Sequence, residues 1–155
     1  MIEIERKFLV HSQQFKTDAT SKTRIKQGFL NTDKARTVRI RLQDTNGFIT
    51  VKGASSDNGL SRFEWEKEIS KSDAEALLAL CEVGVIDKIR HRVAVGNHVF
   101  EVDEFFGENA GLIVAEVELS HPNETFEKPK WLGKEVTGDV RYYNSQLSKQ
   151  PYTTW

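Results

Sequence analysis

The sequence predicts an α+β, mainly β domain over residues 1–155: an eight-stranded antiparallel closed barrel, a tunnel with a charged lumen and a few helices packed outside. Three observations predict it. Apolar and polar residues alternate in eight separate runs, and the polar members of those runs are nearly all ionised, with the same sign two residues apart. The gaps between runs carry turn signals, and only one stretch has a clear helical period. At 155 residues the chain is one domain's worth, with enough length for a full core.

The runs come in order. Ile2, Ile4, Phe8 and Val10 alternate with Glu3, Glu5 and Lys7; residues 23–30 form the weakest candidate. Val38, Ile40 and Leu42 alternate with Arg39 and Arg41, Ile49 and Val51 with Thr50 and Lys52, and Phe63, Trp65 and Ile69 with Arg62, Glu64, Glu66 and Glu68. Ile89 and Val93 then alternate with Lys88, Arg90 and Arg92, Phe100 and Val102 with Glu101 and Asp103, and Ala115, Val117 and Leu119 with Glu116 and Glu118. Turn signals separate them at Asn31-Thr32-Asp33, Asn46-Gly47, Asp57-Asn58-Gly59, Gly96-Asn97 and 107–111; Asn46-Gly47 and Gly96-Asn97 suit tight hairpins, hence antiparallel neighbours. The helix is expected after a cap at Ser70 or Ser72, with Ala74, Leu77, Leu78, Leu80 and Cys81 as its apolar stripe. Shorter helical pieces are expected near 12–15 and 143–148.

Composition removes several classes of function. A net charge of −1, from 22 Lys and Arg against 23 Asp and Glu, argues against a general nucleic-acid or anionic-membrane binder. Cys81 is the sole cysteine, so no intramolecular disulfide or cysteine-based zinc site can form. No stretch approaches the roughly 20 apolar residues of a membrane span. Glu3, Glu5, Arg6 and Lys7 break up the first ten residues, which are therefore no secretory h-region, and a cytoplasmic protein is expected.

The polar parity carries the chemistry. Side chains two apart on a strand share a face at about 7 Å, and at an effective dielectric near 20 two like charges at that distance repel by roughly 2 kcal/mol. One such pair suits any wet surface; Glu3/Glu5, Arg39/Arg41, Glu64/Glu66/Glu68, Lys88/Arg90/Arg92, Glu101/Asp103 and Glu116/Glu118 together do not. The repulsion is relieved if acidic and basic strands face one another across a closed interior, and further if that interior takes a polyanion with a divalent metal. The apolar parity then points outward and needs cover from the helix and the terminal segments. An outer-membrane barrel has this polarity as well, but its long apolar outer band is missing.

Arg39, Arg41, Lys52, Arg62, Lys88, Arg90 and Arg92 supply the cations of that lumen, which suit a ligand with several phosphates in a row. The carboxylates Glu3, Glu5, Glu64, Glu66, Glu101, Asp103, Glu116 and Glu118 form an all-oxygen set, which favours Mg²⁺ or Mn²⁺ over zinc. Phosphoryl transfer asks mainly for positioning and charge stabilisation, and hydrolysis of a triphosphate is the simplest reaction such a site performs.

These residues resemble a known family. Glu3-Ile4-Glu5-Arg6-Lys7 is similar to the ExExK signature of the CYTH superfamily, the triphosphate tunnel metalloenzymes. Arg39-Ile40-Arg41, Thr50-Val51-Lys52-Gly53, the segment 60–66, Lys88-Ile89-Arg90, Glu101-Val102-Asp103 and Glu116-Val117-Glu118 follow in that family's order. The tail from Trp131 to Thr137, then Asp139-Val140-Arg141-Tyr142, resembles the close of its short bacterial members. The resemblance implies a triphosphatase dependent on Mg²⁺ or Mn²⁺, with inorganic tripolyphosphate as the favoured substrate. It implies Glu3, Glu5, Glu116 and Glu118 as metal ligands, Asp103 as a ligand or a support behind them, and Arg39, Arg41, Lys52, Arg62, Lys88 and Arg90 as phosphate holders. Lys7 falls where the family places a lysine beside the attacking water. Relatives of this length often carry Gln-Gly-Tyr in the second strand, with the Tyr proposed as general base; here the segment is Gln27-Gly28-Phe29, and phenylalanine cannot take a proton.

The family also holds class IV adenylate cyclases and thiamine triphosphatases, and a non-catalytic polyphosphate or nucleotide sensor or a plain structural barrel would share the pattern. No aromatic on the charged parity offers a platform for a base, which favours the small inorganic substrate. His11, His91, His98 and His121 have no mutual metal-ligand spacing, and Gly133-Lys134-Glu135 is no phosphate-binding loop, lacking Ser or Thr after the lysine and the upstream glycine. Arg6 and Lys67 fall on the outward parity, Trp65 reads as outer packing, and Arg141 either enters the lumen mouth or pairs with an acid.

Overall fold

The alternating runs become strands of a single antiparallel sheet: β1 (Ile4–Val10), β2 (Ser21–Asn31), β3 (Arg36–Gln43), β4 (Asn46–Ser55), β5 (Arg62–Ile69), β6 (Ile86–Val95), β7 (His98–Phe105) and β8 (Ile113–Leu119), joined by a short β9 (Leu132–Glu135). The helices are α1 (Phe15–Asp18), α2 (Lys71–Leu78) and α3 (Asn144–Leu147). The computed structural model describes residues 4–55 and 62–155, with the backbone alone at Ser55 and Arg62. Glu3, the Arg62 side chain and the Asp57-Asn58-Gly59 turn lie outside the described residues.

The strand order is β5-β4-β3-β2-β6-β7-β8-β1-β9, and every ladder is antiparallel. β9 was not among the expected strands. It pairs with β1 at Phe8 and Val10, on the edge that closure onto β5 would use. Among the described residues no ladder joins β5 to β1 or β9, so the sheet curls around its interior without being closed by hydrogen bonds. Arg6 fastens the added strand through a two-pronged contact to Glu135 (2.9 and 2.6 Å), in keeping with its outward parity.

The hairpins form where expected, with one shift. Gly96-Asn97 is the β6–β7 turn, with Gly96 at φ +60°. The β3–β4 turn is Asp44-Thr45, two residues before Asn46-Gly47, because Gln43 already pairs with Asn46. Asp44 takes the left-handed conformation (φ 53°), which a short polar side chain tolerates, and its carboxylate accepts the Arg24 N–H (3.1 Å). Gly47 serves packing instead: a Cβ there would lie 2.7 Å from the Ala74 Cβ, where α2 docks on the sheet.

Ser70 caps α2 by accepting the Asp73 N–H (3.0 Å). The helix ends at Leu78, so the expected stripe stops short: Ala74 is buried, whereas Leu80 is exposed.

The apolar parity does form a core outside the wall. Phe8, Val93, Phe100, Val102, Ala115, Val117 and Leu119 pack there beneath Phe15 of α1 and Trp131. His91 is buried on this side, edge-on to Phe15, a packing role rather than ligation. Cover is incomplete at β5, whose outward Phe63 and Trp65 stay exposed. A second apolar cluster lies on the inner face. Ile86, Phe105 and Val114, with Leu9 against them, are covered by Val136, Tyr142 and Leu147, so the C-terminal segment seals one end of the interior.

Candidate active site

Curling brings β1 and β3 to β8 around one cavity of about 1060 Å³. Period-2 geometry decides what lines it: on each strand the ionised parity faces inward and the apolar parity outward. Among the described residues Lys7, Arg39, Arg41, Lys52, Arg90 and Arg92 line it as cations, and Glu5, Glu64, Glu66, Glu101, Glu116, Glu118 and Glu124 as carboxylates. Of the residues singled out from sequence, Glu5, Lys7, Arg39, Arg41, Lys52, Arg90, Glu116 and Glu118 therefore meet in one space.

The charges are sorted by register. Glu5 stands opposite Glu118, and Glu116 lies between Lys7 on β1 and Glu101 on β7. Carboxylates directly opposite on adjacent strands repel, having Cβ atoms only about 5 Å apart. Lys7 relieves part of this, with its Nζ 3.4 Å from a Glu116 oxygen, and is itself buried. Across the cavity, Arg39 donates to Thr50 Oγ1 (3.3 Å), which in turn donates to Glu66 (2.9 Å). Arg41 donates through Nε and Nη2 to Gln27 Oε1 (3.0 and 2.8 Å). Burial, added to the repulsion of Arg39 and Arg90, pulls the Arg41 guanidinium down to about 10. A guanidinium under that pressure gains when an anion arrives.

Asp103 and Lys88 sit apart from the exposed charges. The Asp103 carboxylate accepts from Lys88 Nζ (2.8 Å) and from Arg90 Nε and Nη2 (2.8 and 3.0 Å). Burial alone would raise its pKa, yet Lys88 and Arg90 hold it well below the usual carboxylate range. Lys88 is fully buried, does not line the cavity, and also donates to Asn144 Oδ1 (3.2 Å); burial pulls it down to about 8 despite Asp103. This pair sits behind Arg90 and aims it.

Residues not proposed as site residues from the sequence support the site. Thr50 lies on the charged parity, a signal that would have found it, but Gln27 does not: the charged side chains of β2, Lys22, Arg24 and Lys26, fall on the opposite face, and only the pairing of Gln27 with Arg41 brings it inward. Thr137, Tyr143 and Asn144 reach the cavity from the C-terminal tail, where no periodicity marks them. His98 also lines it, in contact with Glu124. Arg141 stays out: it pairs with Asp139 (2.8 Å) and stacks on Trp155. Phe29 lines a separate pocket of about 300 Å³ with Glu82, Val83 and Lys149.

The carboxylate set fits a divalent cation by its chemistry, being all oxygen and mutually repelling until a cation arrives. Among the described residues no three acids converge as a complete ligand cage. An ion held by the β1 and β8 glutamates would complete its shell with phosphate oxygens and water.

Known proteins resemble the chain in sequence and in shape. A protein of Acetivibrio thermocellus called inorganic triphosphatase is 46% identical over 151 residues, covering 97% of this chain and 95% of its own. Another of that name from Nitrosomonas europaea is 36% identical over 152 residues, covering 96% and 97%. The crystal structure of an inorganic triphosphatase superposes with a TM-score of 0.75 at 32% identity, over 96% of this chain and 95% of that one. The CYTH domain matches residues 1–150, and the chain belongs to the CYTH family.

Proposed function

We propose that this chain hydrolyses inorganic tripolyphosphate to pyrophosphate and phosphate with Mg²⁺ or Mn²⁺. The observation that carries the reading is a single cavity with arginines and lysines on one part of its wall and opposed carboxylates on another. Relatives called inorganic triphosphatase over nearly the whole chain support it.

In this reading Arg39, Arg41, Lys52, Arg90 and Arg62 hold the phosphate chain, Arg39 and Arg41 by paired N–H donors that match phosphoryl oxygens. Glu5, Glu116 and Glu118, with Glu3, hold the metal, which would supply charge neutralisation and lower the pKa of water. Asp103, whose oxygens are both engaged, aims Arg90. Lys88 neutralises Asp103 from behind. Lys7 donates to the incoming water and to the terminal phosphoryl group, held by Glu116. Water oxygen attacks the terminal phosphorus, its proton passes to a Glu116 or phosphoryl oxygen, the bond to the bridging oxygen breaks, and pyrophosphate leaves with its charge spread over the arginines. On the described part of the cavity wall the rings are Tyr143, with Lys7 over one face, and His98, in contact with Glu124, set among many charges, which favours the small inorganic substrate.

The test is direct. Purified protein is incubated with tripolyphosphate, ATP or thiamine triphosphate, with and without metal, and phosphate, pyrophosphate and cyclic AMP are measured. Metal-dependent phosphate from tripolyphosphate is expected; cyclic AMP with pyrophosphate from ATP would make it a cyclase, and binding without turnover a sensor. Glu5→Ala should remove activity and metal dependence together, while Arg41→Ala should mainly raise KM, by roughly ten- to a hundredfold for one lost charge-assisted contact.

A further inference from the structure

Lys7 is held from an unexpected direction. Its backbone N–H donates to Thr137 Oγ1 (2.9 Å), and its carbonyl accepts the Val136 N–H (2.8 Å). The chain then turns at Gly138, which sits at φ +80°, and returns to the cavity six residues on from Thr137 as Tyr143. There the Lys7 Nζ lies 4.8 Å from the centre of the Tyr143 ring. The Tyr143 backbone is pinned, while the residue as a whole is 39% exposed. Its N–H donates to Val140 O (3.1 Å) and its carbonyl accepts from Gln146 and Leu147 (both 2.9 Å), and the neighbouring Tyr142 and Leu147 side chains are buried. Lys7 is only 6% exposed, and a desolvated ammonium gains most from an aromatic face.

We propose that Tyr143 is a positioning residue of this site, acting through Lys7: its ring face and the Glu116 carboxylate together fix where the ammonium points. A flexible four-carbon side chain has many rotamers, and one carboxylate contact at 3.4 Å does not select among them. The ring supplies a second surface without a competing charge. Because it is the face that acts, the hydroxyl is dispensable and the aromatic plane is not. The inference rests on the triphosphatase reading for its kinetic consequence, while the geometry it asserts is independent of that reading.

Two readouts test it. In tripolyphosphate hydrolysis, Tyr143→Leu should lower kcat about tenfold with KM within a factor of about three, since loose placement of a reacting group costs turnover more than binding. Tyr143→Gln should behave alike, and Tyr143→Phe should restore most of the lost turnover. In a Lys7→Ala background Tyr143→Leu should add nothing. By NMR, the Lys7 ε-methylene signals should be shifted upfield by the ring in wild type and Tyr143→Phe, and should return to ordinary positions in Tyr143→Leu. Full turnover in the Leu and Gln variants, a Phe variant as damaged as Leu, or an additive loss with Lys7→Ala would overturn the proposal. If the wild type releases no phosphate from tripolyphosphate, the functional reading fails, and the NMR shift still decides the position of Lys7. An unshifted wild-type signal sinks the positioning claim alone.

Discussion

Replacing Asp103 by Asn removes one negative charge from beneath the cavity and leaves the shape nearly unchanged. In the wild type that carboxylate is within 2.8 Å of both Lys88 and Arg90, with side-chain exposures of 4% for Asp103 and 0% for Lys88. Breaking a buried pair by removing one partner costs about 3–5 kcal/mol, because the other charge stays buried without compensation. For a chain of this length each kcal/mol lowers Tm by roughly 2–4 °C, so a fall of about 6–20 °C is expected at neutral pH. The pH dependence has a definite sign. The folded carboxyl lies below its unfolded value, so its contribution is present above about pH 4 and is lost as pH falls toward the folded value. The gap between wild type and Asp103→Asn should therefore narrow in acid. Adding Lys88→Met should recover part of the loss by removing the stranded ammonium. Thermal unfolding followed by circular dichroism at pH 7 and pH 3 measures all of this. A single variant within about 1 kcal/mol of wild type at pH 7, or a gap that does not change between the two pH values, would refute the reasoning.

Other substitutions follow from close contacts. Gly28→Val should destabilise by about 1–3 kcal/mol, since a Cβ at that position would lie 2.9 Å from the Cys81 Cβ and 3.1 Å from Val85 Cγ2; chemical denaturation would show it. Phe29→Tyr should leave kcat for tripolyphosphate within about twofold of wild type: residue 29 stands opposite Arg39 in the ladder, but it is buried and borders the smaller pocket with Glu82 and Val83. A large gain from the added hydroxyl would place that residue in the reaction after all.

Much of the fold was legible because a strand has only two faces. Arg39 with Arg41, and Glu116 with Glu118, could be assigned to one interior from spacing alone, and the outer core of Phe100, Val102, Ala115 and Val117 followed from the opposite parity. Parity gives the face and not the depth along the strand. Lys88 shares a face with Arg90 but sits deeper, next to the inner apolar cluster of Ile86 and Phe105, so it supports the site from behind. The contribution of the tail was invisible for a different reason. Thr137, Tyr143 and Asn144 arrive in short turns that have no period, and only the return of the chain onto β1 and β6 places them at Lys7 and Lys88. Leu80 and Cys81 fell out of the helix stripe because α2 ends at Leu78, three residues earlier than apolar spacing suggested.

The central claim is that one cavity holds a phosphate chain on its arginines and a divalent ion on its facing glutamates. A crystal structure of the protein with tripolyphosphate and Mn²⁺ tests this most directly, using anomalous scattering to locate the metal. The expected result is a manganese peak among Glu5, Glu116 and Glu118 with the phosphates against Arg39, Arg41 and Lys52. Tripolyphosphate bound outside the cavity, or manganese on other residues, would contradict the account.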